Sequence, residues 1–197
     1  MQKNPFLKIG LSSLLATGST ALVCYGVGRF LGYGSFAFAW VLNFMLMAWF
    51  TFLVNQMSPN LQAGYFLPKP FEKEGKLYQY AGIHAFRKML VWIGWEKLMR
   101  KEHGLKINAT SLRQLEYNTR ISETGHLFIF LIVLLVTFLV TMHNTGTLWL
   151  WLTNILLNVY PVFLQRFNRP RYLKILQKHN YLEPDRKTQS TKSIATT

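Results

Sequence analysis

The chain contains a single cysteine, Cys24, and only 8 acidic residues in 197. One cysteine excludes an intramolecular disulfide and any metal site built on cysteine thiolates. Other absences are equally informative. There is no glycine-rich phosphate loop, no dinucleotide fingerprint and no metalloprotease-type His-x-x-x-His, and neither Ser111 nor Ser122 sits in a nucleophile elbow. No small-x-small cleavage site follows the first apolar run, so residues 19–28 read as helix interior rich in small residues rather than the end of a signal peptide.

Against the 8 acids stand 22 Lys and Arg, a net charge of +14. In a soluble protein that excess would suggest nucleic acid as partner. Here half of the residues are hydrophobic and fall in long blocks, at 6–31, 35–55, 127–142 and 147–164. The basic charge therefore belongs beside a membrane, where Lys and Arg gather on the cytoplasmic side and attract anionic headgroups. Membrane lipids are the expected partners and nucleic acid is not. The expected fold is all-α: a polytopic membrane protein with four transmembrane helices in two hairpins and a basic amphipathic segment between them. The divisions fall at 1–55 (first hairpin), 56–120 (interfacial segment), 121–165 (second hairpin) and 166–197 (basic tail). The 56–120 segment holds eleven Lys and Arg, whereas the turns at 32–34 and 143–146 hold none. The positive-inside rule then puts both termini and the central segment in the cytoplasm.

Within that segment Leu67-Pro-Lys-Pro70 marks an extended turn. Residues 77–93 read as an amphipathic helix with His84, Arg87 and Lys88 on one arc. Gly94 interrupts it. Residues 95–103 read as a second helix, with Trp95, Leu98 and Met99 opposite Lys97, Arg100 and Lys101, suited to the headgroup region. Ser111-Leu-Arg-Gln114 reads as a capping box opening the third long helix. Residues 186–197 are polar and read as disordered.

Two groups of residues could do chemistry. On a helix Asn154, Asn158, Pro161, Gln165 and Asn168 share one face, running toward Arg166, Arg169 and Arg171. Polar side chains in an apolar run are functional candidates; the other reading is a helix–helix seam of hydrogen-bonded amides. Glu123-Thr-Gly-His126 sits where the third helix enters the membrane. An acid three residues before a histidine can orient it as a general base, or the two form an ordinary interfacial ion pair. His84, His126 and Glu123 are the one conceivable three-ligand metal set, but His143 and His179 lie too far off to complete it, and no metal is expected.

Three segments together resemble the membrane glycosyl-4,4′-diaponeurosporenoate acyltransferase family of staphyloxanthin-type carotenoid biosynthesis. They are Phe71-Glu72-Lys-Glu-Gly75-Lys76, the Glu123-x-x-His126 pair, and Asn158-Val-Tyr-Pro-x-x-x-Gln165-Arg166-Phe-Asn168-Arg169-Pro-Arg171. The resemblance covers roughly residues 65–178. The chain departs from it at Leu127, where an aromatic residue is expected, and at Phe86, where tryptophan is.

The resemblance implies a bacterial cell-membrane enzyme that transfers a fatty acyl group to a sugar hydroxyl of a lipid-soluble glycoside. No cofactor is implied; an acyl-CoA or acyl-carrier thioester is the co-substrate. His126 would take the hydroxyl proton with Glu123 orienting it. Arg166, Arg169 and Arg171 would bind donor phosphates, and Asn158 or Gln165 would donate to the oxyanion. Asn168 and Glu72 complete the expected substrate-binding set. The competing classes are a membrane lipid hydrolase or methyltransferase, and a non-enzymatic membrane partner protein.

Overall fold

A computed structural model describes residues 5–94, 109–143 and 146–178. Helix α1 spans Pro5–Leu31 and α2 spans Phe36–Met57. Gly32, at φ 84°, makes the turn between them. Ser35 caps α2, its hydroxyl accepting from the Phe38 N–H at 3.1 Å. Helix α2 stops at Ser58, which precedes Pro59 and adopts φ 41°; a residue before proline is driven out of the helical region.

The central segment begins with two short 3-10 turns, Gly64–Phe66 and Pro70–Gly75. Helices α3 (Lys76–Tyr80) and α4 (Ile83–Trp92) follow. The single helix expected over 77–93 is thus two, because Gly82 at φ 79° breaks the helical backbone. The second amphipathic helix, at 95–103, lies outside the described residues, as do His103, His179, the 186–197 tail and part of the 143–146 turn. Helix α5 covers Ala109–Thr141. Ser111 is already inside it, so the residue expected to cap the helix instead occupies its first turn.

The last membrane-length helix is a composite. Helix α6 (Leu148–Asn154) passes into a π turn at Ile155–Val159 and continues as α7 (Tyr160–Lys178). Pro161 lies just past the π turn. Proline has no N–H to offer the carbonyl four residues back, here that of Leu157, and a widened turn relieves the clash. No strand occurs among the described residues.

Four helices are long and apolar enough to cross a membrane. The shared core joins Phe38, Leu42 and Leu46 of α2 to Ile129 and Val133 of α5 and Leu150 of α6. Gly125 allows α5 to approach closely, since a Cβ there would lie 2.6 Å from the Phe50 ring. Helix α1 is peripheral: Trp49 Nε1 donates to Thr17 Oγ1 at 2.9 Å and Ser12 Oγ to Gln56 Oε1 at 2.9 Å, while most of its apolar side chains face outward. At 1.5 Å per residue, the 33 residues of α5 extend about 50 Å, against a hydrocarbon core of about 30 Å. Its first half, carrying Arg113, Glu116 and Arg120, therefore projects beyond the membrane into the layer formed by α3, α4 and the 3-10 turns.

A single crossing, that of α5, separates the central segment from the turn between α5 and α6. In a Cys24→Ser background, cysteines introduced at Lys76 and at Gly146 should react with a membrane-impermeant maleimide from opposite sides. Labelling of both from one side would overturn the four-span arrangement.

Candidate functional site

The amide stripe divides in two at the π turn. Its membrane half is a closed hydrogen-bond chain. Asn158 Nδ2 donates to Asn43 Oδ1 at 2.7 Å and to Asn154 Oδ1 at 2.9 Å. Asn43 Nδ2 donates to the Ala39 carbonyl at 2.9 Å and to Thr153 Oγ1 at 3.2 Å. Asn154 Nδ2 donates to the Phe130 carbonyl at 3.2 Å. Backbone carbonyls only accept, so the two ends fix which way every amide points. All three asparagines are fully buried.

One acceptor in this chain is left over, Asn158 Oδ1, and it faces His126 Nδ1 at 3.4 Å. Since Asn158 spends both amide hydrogens elsewhere, its oxygen must accept. Nδ1 therefore carries the proton in neutral His126, and Nε2 carries the lone pair.

The expected orienting group, Glu123, is occupied otherwise. It is fully buried, with Oε1 taking Arg166 Nε at 2.5 Å and Oε2 taking Arg169 Nη2 at 2.5 Å. Arg166 also donates to Glu72 Oε1 at 3.2 Å and to the Tyr65 carbonyl at 3.1 Å. Arg169 donates to Thr119 Oγ1 at 2.9 Å and to the Phe66 carbonyl at 3.0 Å. Glu72 receives the Tyr78 hydroxyl at 2.7 Å and the Lys69 N–H at 2.8 Å. Burial and the Glu72 carboxylate push the Tyr78 phenol well up from its ordinary value, so it remains a donor. Beside this group Arg120 pairs with Glu116 at 2.7 Å and reaches the Leu61 carbonyl at 2.7 Å. Three acids thus balance three arginines. Gly75 permits the assembly: at φ 92° its Cα lies against Phe167, where a Cβ would meet that residue's carbonyl oxygen at 3.3 Å.

This arrangement corrects several expectations. Glu123 orients two arginines, and Asn158 takes the place beside His126. Arg166 and Arg169 each have all three guanidinium nitrogens hydrogen-bonded within the protein and are buried, rather than presented to a donor phosphate. Glu72 is likewise committed. Asn158 has no free hydrogen for an oxyanion. Arg171 stands apart, with its guanidinium carbon 3.9 Å from the centre of the Phe167 ring.

The other half of the stripe, toward the arginines, does line a space. A cavity of about 710 Å³ lies between α4, α5 and α7. Gln165 and Asn168 form one wall, Ser122 and Asn118 another, and His84, Arg87 and Lys88 a third. On α5, His126 follows Ser122 by one turn, about 6 Å deeper into the membrane. Asn43 and the α4 wall are the parts that pattern reading missed as site components. Asn43 is one amide in an otherwise aromatic and aliphatic run, and that isolation was the available signal.

A model of the glycosyl-4,4′-diaponeurosporenoate acyltransferase family matches residues 62–178. No curated protein and no solved structure matches the chain. The matched span holds the whole charge cluster and the cavity, but not Asn43.

Removing one partner of a buried pair leaves the other charge uncompensated, at a cost of about 3–5 kcal/mol. Glu123→Ala should therefore destabilise the purified protein by about that amount in detergent unfolding. Wild-type stability of that variant would show that the two arginines find other partners.

Proposed function

The chain belongs to the glycosyl-4,4′-diaponeurosporenoate acyltransferase family, and we propose that it moves a fatty acyl group from a thioester donor onto a sugar hydroxyl of a glycosylated carotenoid. An acyltransferase role in carotenoid biosynthesis follows from membership; the acceptor, the donor and the base are the proposal. The observation that carries it is the placement of His126, half-buried, one turn below a polar cavity and held through Nδ1 by a fixed amide.

In the proposed reaction Nε2 of His126 takes the proton of the sugar hydroxyl as its oxygen attacks the thioester carbonyl carbon. The C–S bond breaks, and the departing thiolate takes the proton from the imidazolium. An ester and a free thiol result, with no acyl-enzyme. Asn158 holds the ring so that Nε2 carries the lone pair. Gln165, on the cavity wall and with no hydrogen-bond partner for its amide among the described residues, is the better oxyanion donor of the two expected. The acceptor's apolar body stays in the bilayer while its sugar head enters between α5 and α7. The cell membrane with both termini cytoplasmic is the matching location, since the donor is made in the cytoplasm.

His126→Ala should lower acyl transfer at least ~10²-fold, the usual worth of a positioned base, with the protein still folded in the membrane. Activity should rise from acidic to neutral pH as the imidazole loses its proton. Asn43→Ala, which frees the Asn158 amide to turn, should lower kcat by less and leave KM unchanged. Product analysis by mass spectrometry with purified protein checks all three. Near wild-type transfer by folded His126→Ala would remove the histidine from the chemistry.

A further inference from the structure

Arg120, Arg166 and Arg169 all have carboxylate partners. Among the described residues no carboxylate pairs with the basic groups around the cavity mouth and none lines the cavity, whereas His84, Arg87 and Lys88 do line it. The exposed side chains of His84 and Arg87 on α4 and of Arg171, next to the cavity-lining Tyr172 on α7, converge on one buried ring. Arg171 lies 3.9 Å from the centre of Phe167, Arg87 lies 5.9 Å from it, and the His84 ring meets it edge-on at 5.6 Å. Phe167 is itself locked against Gly75. Two guanidinium groups sharing one ring repel each other, and in a walled recess without acids their field is focused rather than cancelled. Such a recess attracts an anion.

We propose that this mouth binds the phosphate of the acyl donor, through Arg87, Lys88 and Arg171, in place of the buried Arg166 and Arg169. The inference rests on the acyl-transfer reading. Guanidinium groups give phosphate paired, charge-assisted hydrogen bonds, and an ammonium adds a point charge. Neutral partners for the rest of a pantetheine-type arm continue inward: Tyr172, Asn168, then Gln165 and Ser122. These run along α5 and α7 toward His126. A phosphate held at the mouth would leave the thioester pointing down to the histidine. The phosphate of an anionic lipid headgroup shares this chemistry, and the test separates the two.

The protein is reconstituted in nanodiscs of phosphatidylcholine, and coenzyme A and 4′-phosphopantetheine binding is measured by titration calorimetry. Wild type should bind both, and unphosphorylated pantetheine should not compete. Arg87→Gln and Arg171→Gln should each weaken binding at least ~10-fold, the low end for a lost charge-assisted contact, and added salt should weaken wild-type binding. Equal affinity in wild type and both variants, or no binding by wild type, overturns the proposal. So does loss of binding on adding phosphatidylglycerol to the discs, which would make the mouth a headgroup site. Acyl transfer is followed in the same discs. Transfer by wild type with an unchanged donor KM in both variants overturns the mouth and leaves the reaction standing. Arginine-dependent binding without transfer supports the mouth and removes the reaction.

Discussion

The structure depends on one carboxylate held between two guanidinium groups. Glu123 comes from α5, and Arg166 and Arg169 from α7, and no side chain in the group is more than slightly exposed. The cost of drawing those charges out of water is offset only by near-complete hydrogen bonding, which the Tyr65 and Phe66 carbonyls, Thr119, Glu72 and Tyr78 supply. The cluster therefore does more than join two helices. It pulls the 3-10 turns and α3 onto them, and so builds the floor on which α4 rests. Beside it, the aromatic core around Phe167 and the bonds from Arg120 and Tyr117 to the Leu61 and Pro59 carbonyls help hold this layer over the membrane-length helices.

The membrane helices were legible in the sequence because long apolar runs have few other fates. The break at Gly82 was not, since amphipathic spacing continues across it and only the backbone angle reveals the interruption. The identities of the important polar residues were also legible: Glu72, Glu123, His126, Asn158, Gln165, Arg166, Asn168 and Arg169 all lie in or beside one assembly. Their pairings were not. A spacing of three places Glu123 near His126 on the same helix, but two arginines from a distant stretch of sequence compete for the same carboxylate and win. Local spacing cannot report a competitor forty residues away. Arg166, Arg169 and Arg171 look equivalent as a cluster, yet helical periodicity turns the first two inward and the third out to the Phe167 ring.

The asparagine chain shows how a membrane interior can define a proton's position without a charge. Asn43 stands outside the segment matched by the family model, on α2. Through it α2 acquires a part in the chemistry proposed for α5 and α7.

Helix α5 runs from Ala109 to Thr141 as one uninterrupted α-helix without a proline. Asn118 and Ser122 at the cavity and His126 below it are marks on a single rigid rod, with 1.5 Å between successive residues. Depth in the bilayer is thus counted rather than adjusted. On the proposed reaction the helix serves as a gauge: it sets how far a donor arm must reach from the aqueous side, and how far a sugar must rise from the lipid side, for the two to meet at one height. A substrate whose hydroxyl sits a few ångströms off that height finds no compliant segment in α5 to accommodate it, so selection by the position of a polar head within the membrane is built into the length of the helix.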